Sequence, residues 1–455
     1  MSRKEINRRN FLKNMGAGGA VLGAGLAAPK IISKTADGIF VESEREYGGF
    51  QVKKLTNDKV PYEVDPEVLE PMKYWKTVFG RGWDPIRREA TRDLPNVGYE
   101  NLVNAKGLNP NQTRLDYALM DAAWRFARYP GVYDWKDYSP ESRKSMNQSL
   151  GPWDPADLDM TWEDASLAVK HAGLFFGASL AGIADLNPLW IYSEISQNQP
   201  VLFEGEYPRR TREAYYLPKS MNKVIALAFE EDYTAIQNSW GRLASAAVGD
   251  GYSRMAITSS TLVDFITELG YFAVAAGNEL GLSIPMAIDA GFGELGRNGL
   301  LITPKYGPRV RLAKIITNMP LVPDSPISFG VKEFCEACML CADDCPSKSI
   351  PTTKQTWKGT SFSNNPGSKK WYIYPETCND FNGFSCSNCK RVCPFNKPNN
   401  SWLHKLMRQV IKGRSEALDG LMVTLDQASG YGGQVEAKDW WKLDGQKSIT
   451  ARESM

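Results

Sequence analysis

All eight cysteines of this 455-residue chain lie between Cys335 and Cys393. The first four read Cys335-x2-Cys338-x2-Cys341-x3-Cys345-Pro346. The second four read Cys378-x7-Cys386-x2-Cys389-x3-Cys393-Pro394. Any fold of this chain must accommodate that concentration of thiols. Disulfide frameworks belong to small chains that lack a core. Structural zinc takes paired C-x2-C units or Cys with His, and neither run divides that way. Two [4Fe–4S] clusters need eight thiolates, so the inventory closes without remainder.

In the bacterial two-cluster ferredoxin pattern the fourth Cys of each run crosses to the other cluster. The spacing therefore predicts Cys335, Cys338, Cys341 and Cys393 on one cluster, and Cys345, Cys378, Cys386 and Cys389 on the other. The proline after each fourth Cys turns the chain back for the crossing. The first run matches at every position. Seven residues follow Cys378 where two are usual, so Cys378 departs most from the pattern.

The N-terminus reads Arg8-Arg9-Asn10-Phe11-Leu12-Lys13, then a Gly/Ala-rich apolar stretch from Met15 to Ala28. A paired arginine before a short, mild apolar region is the address for twin-arginine export. The stretch is too short for a bilayer span, which takes about 20 residues. A basic helix with no targeting role is the alternative. Export of folded protein suits clusters assembled before transit. Fifty-four basic and 52 acidic residues give +2, so no nucleic-acid or membrane-surface bias follows. His171 and His404 are the two histidines, and each reads as structural or surface.

The chain divides into an export signal (1–36), a loop-rich wrapping region (37–160), a core (161–325), a ferredoxin-like module (326–400) and a C-terminal docking segment (401–455). In the core, Trp162–Gly173 and Ser259–Leu269 read as helices, the latter closed by Gly270. Ala178–Ile183, Lys223–Phe229, Tyr271–Ala276, Leu300–Ile302 and Ala313–Thr317 read as strands. Alternation of this kind predicts a mixed α/β (α+β) architecture with helices packed on a sheet.

Gly291-Phe292-Gly293-Glu294-Leu295-Gly296 fits G-x-G-x-x-G. A nicotinamide site needs a strand before this motif and an acidic residue about 20 positions on. Ile284–Ala290 is not a clear strand, and the zone around Lys314 is basic and apolar. The glycines instead allow backbone to approach some other flat or anionic cofactor.

Together, the leader, the α/β middle, the segment Ala290–Leu312 and the two Cys runs resemble the catalytic subunit of corrinoid-dependent respiratory reductive dehalogenases. The resemblance covers nearly the whole chain. It implies a nitroreductase-like core holding a cobalamin beside the proximal cluster, and reduction of an organohalide on the outer face of the cytoplasmic membrane. It implies a small membrane-anchor subunit and an upstream donor, a quinol or hydrogenase chain; a homodimer is compatible, nucleic acid is not a partner. The family's proton-donor segment matches Tyr252-Ser253-Arg254-Met255, and its Asn segment matches Gly277-Asn278-Glu279-Leu280-Gly281-Leu282. Its basic residue follows the turn Tyr306-Gly307-Pro308-Arg309-Val310-Arg311. Arg311 is taken over Arg309, which lies in the turn; Arg297 is a third candidate. Gly291, Gly293, Gly296, Arg297 and Tyr306 are the candidate corrinoid contacts. No Asp-x-His-x-x-Gly occurs, which agrees with a base-off corrinoid lacking a histidine ligand.

The residue types suit the chemistry. A tyrosine hydroxyl titrates near pH ~10 unaided, and a nearby guanidinium favours its phenolate. Read from residue types alone, the same trio is a buried hydrogen-bond cluster without chemistry. An exported electron carrier without corrinoid and an epoxyqueuosine-reductase-like enzyme are the alternative functions.

Overall fold

The strand Lys223–Glu230 (Lys-Val-Ile-Ala-Leu-Ala-Phe-Glu) is apolar on both faces, a pattern suited to the interior of a covered sheet. The computed structural model describes residues 52–56, 59–78, 80, 114–128, 133–140, 142, 160–381, 386–397 and 416–442. It places this strand inside a sheet ordered Leu180–Asp185, Lys223–Glu230, Val310–Thr317, Ala273–Ala276. Every neighbouring pair is antiparallel. The architecture is therefore mixed, as its alternating pattern predicts, in the α+β form.

Alternate side chains leave each strand on opposite faces. Val224, Ala226 and Ala228 join Ile316, Val274 and Ala276 in one core, covered by Met286, Ala287 and Ile288 of the helix Ser283–Asp289. Ile225, Leu227 and Phe229 join Ala313 and Ile315 in the other. That second core is covered by the helix Trp162–Phe175 and by Met255, Leu262 and Ile266 of the long helix Arg242–Glu268. Thr161 caps the first of these helices by accepting from Asp164 N. Gly270, at φ +93°, ends the second.

The long helix starts well before the Ser259 expected from periodicity. Leu243 through Gly249 are all buried, so these first two turns have no polar face to reveal a helical period. Gly249 sits under the Trp124 indole; a Cβ there would lie 2.5 Å from Trp124 Cδ1.

The flanking segments fasten onto the cluster module. Lys53–Lys54 pairs with Ile327–Ser328, and Glu63–Val64 with Ser368–Lys369. The helix Glu416–Ser429 inserts Met422 beside Phe334, Cys338, Cys393 and Phe395. Trp440 and Trp441 pack against Ile236, Leu243 and Ala247. All described residues fall within one unit, Ser43–Met455. The Arg8-Arg9 leader, Trp402 and His404 lie outside the described residues, and His171 is exposed. Among the described residues no helix is long and apolar enough to cross a membrane.

Phe229 is completely buried at the centre of the second core. Phe229→Ala should lower unfolding free energy by about 3–5 kcal/mol, read as an earlier urea midpoint. An unchanged midpoint would contradict this placement.

Candidate active site

Three elements converge on one phenol. Tyr252 projects from the long helix, Asn278 follows the strand Ala273–Ala276, and Arg311 lies on Val310–Thr317 opposite Phe229. Asn278 Nδ2 donates to Tyr252 Oη at 2.9 Å. Arg311 Nη1 donates to the same oxygen at 3.2 Å. The guanidinium carbon also sits 5.0 Å from the Tyr252 ring centroid. On the other side Trp124 stacks on Tyr252, with centroids 5.3 Å apart. Gly251 makes the approach feasible, because a Cβ there would stand 2.8 Å from Arg311 Cγ.

Arg311 is itself held by Glu231, whose Oε1 accepts from its Nε at 2.6 Å. Glu231 is fully buried and also receives Lys390 Nζ at 2.8 and 2.5 Å. Burial would raise this carboxyl, but Lys390 and Arg311 outweigh it and hold it at about 2. Burial likewise opposes the Arg311 charge, and Glu231 with Tyr252 more than restores it. Beneath Asn278, Lys314 Nζ donates to Gly277 O and Ser283 Oγ at 2.5 and 3.1 Å. Burial pushes its ammonium down to about 7, against the pull of Glu279. Glu279 adjoins the half-buried Tyr74 and Tyr133 and the buried Tyr192; burial, then Glu279, pushes Tyr74 up to about 12.

The other two arginines are engaged elsewhere. Arg309 Nη1 donates to Glu230 Oε1 and Glu231 O at 2.7 and 2.6 Å. Arg297 donates to the carbonyls of Cys335, Pro351 and Thr353, each at 2.9 Å. It lies over Trp371 and staples the cluster module. Of the three arginines, Arg311 is the one hydrogen-bonded to Tyr252.

The G-x-G-x-x-G segment is a joint within the chain. A Cβ on Gly291 would lie 2.6 Å from Ser325 O, on Gly293 2.0 Å from Ile302 O, and on Gly296 2.9 Å from Asn298 Oδ1. These close approaches are to protein atoms, so the glycines expected at a cofactor have a packing role here. Glu294, between them, is buried and accepts from the amides of Phe329, Gly330 and Val331 at 2.5, 3.0 and 3.4 Å. Those amides open the helix Val331–Ala337, which carries Cys335. Burial raises the Glu294 carboxyl despite these donors. Tyr306 is buried, and its amide donates to Thr303 Oγ1 at 2.9 Å.

The eight thiols are free of disulfides. Burial pushes Cys335 up to about 11 and Cys338 and Cys378 to about 12. A metal cluster would overcome this by ionising them. Their electrostatic neighbours divide them into two sets. Cys393 acts with Cys335 and Cys338, and Cys341 with Cys335, Cys393 and Cys338. Cys386 acts with Cys389, Cys378 and Cys345. Cys341 also neighbours Cys389, so the two sets adjoin.

Two polar groups fit a further bound molecule. The Tyr133 hydroxyl, its ring against Gly277, and both amide atoms of Asn396 are buried without a protein partner among the described residues. The Asn396 backbone meets the Tyr306-Gly307-Pro308 turn, where a Gly307 Cβ would lie 3.1 Å from its main-chain nitrogen.

A family model described as a 4Fe-4S double cluster binding domain matches residues 334–396. A tetrachloroethene reductive dehalogenase of Sulfurospirillum multivorans is 32% identical over 96% of this chain and 93% of its own length. The chain belongs to the reductive dehalogenase family. A second tetrachloroethene reductive dehalogenase, from Desulfitobacterium hafniense, is 36% identical over 67% of this chain and 60% of its own. The solved structure of the catabolic reductive dehalogenase NpRdhA with 3-bromo-4-hydroxybenzoic acid shares the fold, with TM-score 0.58 at 18% identity. That match covers 84% of this chain and 49% of NpRdhA, so the chain spans about half of that neighbour's length. Epoxyqueuosine reductase is a distant relative.

Reductive dehalogenases are oxidoreductases that reduce carbon–halogen bonds, so the enzyme reading stands over the carrier reading. Sequence reasoning missed Glu231 and Lys390. Glu231 lies just past the strand expected at Lys223–Phe229, and nothing in linear order links it to a lysine in the second Cys run. Trp124, Lys314 and Tyr133 were also missed, because each matters through a contact more than 100 residues away or across the sheet.

Glu294→Ala would strand three amides at a cost of roughly 1–3 kcal/mol and should lower the iron retained after reconstitution. Glu294→Gln keeps an acceptor and removes a buried charge, so it should retain iron. Equal iron in both variants would contradict the capping role.

Proposed function

We propose that this reductive dehalogenase replaces a halogen by hydrogen on a small organohalide, with Tyr252 as the proton donor. The observation that carries the reading is the convergence of Arg311 and Asn278 on one phenol oxygen. When bound, a base-off corrinoid and two [4Fe–4S] clusters supply the two electrons that reduce the carbon–halogen bond. The Cys335, Cys338, Cys341 and Cys393 set would hold one cluster, and the Cys345, Cys378, Cys386 and Cys389 set the other. The Tyr133 hydroxyl and the Asn396 amide, buried and lacking protein partners, suit contact with the corrinoid.

The chain's own residues handle the proton. Arg311 and Asn278 both donate to Tyr252 Oη, which leaves the hydroxyl hydrogen for a third partner, the reacting carbon. Loss of that proton leaves a phenolate already facing a cation and an amide N–H. Arg remains charged in such a buried place, and the Glu231 carboxylate fixes its orientation. The Asn278 amide carries a second N–H that could donate to the departing halide. Substrate plus two electrons plus one proton gives the reduced product and a halide ion. The names of its relatives favour a chlorinated ethene as substrate.

Export by the Arg8-Arg9 leader to the outer face of the membrane, docking on a small membrane anchor and supply of electrons from a quinol or hydrogenase chain complete the proposal. Tyr252→Phe should cut product formation by roughly 10²-fold or more while cobalt and iron content stay at the unsubstituted level. Full activity in that variant would remove Tyr252 from the reaction.

A further inference from the structure

We propose that Glu231 is a positioning residue that couples the cluster held by Cys389 to the Tyr252 proton site. The inference rests on the preceding reading of Tyr252 and of the cysteine sets. Glu231 acts through the two cations it holds, Lys390 and Arg311.

The geometry is a continuous chain of short contacts. Lys390, beside Cys389 in the helix Asn388–Arg391, donates to both Glu231 oxygens at 2.8 and 2.5 Å. Glu231 Oε1 accepts from Arg311 Nε at 2.6 Å. Arg311 Nη1 reaches Tyr252 Oη at 3.2 Å. The Glu231 side chain is fully buried and that of Lys390 is 4% exposed, so solvent screens little of their interaction. One carboxylate between two cations leaves one net positive charge, which the Tyr252 phenolate would balance when it forms.

A buried ion cluster could serve merely to dock the module on the core. Coupling makes a further demand that docking does not. Cluster potentials follow nearby net charge. Removing the Glu231 charge should favour the reduced, more negative cluster and raise its potential. Removing the Lys390 charge should lower it. The Cys335 cluster should move less in both cases.

The test is an EPR-monitored redox titration of the anaerobically reconstituted full chain, comparing the unsubstituted protein with Glu231→Gln, Glu231→Asp and Lys390→Gln. The expected result is an upward shift of one cluster in Glu231→Gln, a downward shift of the same cluster in Lys390→Gln, and a near-native potential in Glu231→Asp. Turnover of Glu231→Gln should fall about tenfold or more in kcat with KM unchanged. Equal shifts of both clusters, shifts of one sign in both variants, or no shift would overturn the coupling. If Glu231→Gln fails to retain iron, the sign of the Lys390→Gln shift decides alone. Failure of the underlying reading looks different: Tyr252→Phe would remain fully active whatever the potentials do.

Discussion

The pairing of Val310–Thr317 with Lys223–Glu230 is the constraint on which both core and site depend. Its register sets Arg311 opposite Phe229 and Lys314 opposite Ala226, with Lys314 also opposite Ala276 on the other side. Because successive residues face opposite ways, Arg311 points toward the long helix and Tyr252, while Lys314 points toward the Ser283 end of the covering helix. A slip of one residue would exchange those faces. It would put a guanidinium where Ile316 and Val274 now pack and take it away from the phenol. The apolar side chains that exclude water thus select the same register that the proton site requires. Glu231 follows because it is the next residue after the strand, tied to Arg309 O through its amide at 2.8 Å.

The cluster module is fastened to the core largely by buried polar groups. Burying a charge is unfavourable unless it is paired or hydrogen-bonded, and each crossing here satisfies that condition. Glu294 reaches the start of the first Cys helix, Arg297 binds the carbonyls of Cys335, Pro351 and Thr353, and Lys390 reaches back to Glu231. Apolar burial is directionless, whereas these contacts fix orientation as well as distance. Gly307 permits the closest backbone approach, since a Cβ there would fall 2.4 Å from Phe395 O. An electron path between a module and a core needs that kind of fixed separation.

Much of this was legible in linear order because the signals were local. Cysteine spacing predicts the crossed sets even where Cys378 strays from the usual interval. The apolar run at Lys223 and the glycine at 270 mark a strand and a helix end by residue type alone. The first turns of the long helix, Leu243 to Gly249, were not legible, since residues buried all round carry no amphipathic period. The G-x-G-x-x-G segment is only partly legible for a related reason: glycine records that something approaches closely but not what. Here the approaching atoms are the carbonyls of Ser325 and Ile302. Family resemblance supplied Tyr252, Asn278 and Arg311, while Glu231 and Lys390 emerged once topology joined positions 231 and 390.

The central claim is that these residues serve a corrinoid and two clusters together. Cobalt and iron content of the full chain reconstituted anaerobically, with its visible spectrum, tests it most directly. The account predicts about one cobalt and, from two four-iron clusters, about eight irons per chain, with the absorption of a base-off corrinoid. Eight irons with no cobalt would contradict it and leave a two-cluster electron carrier.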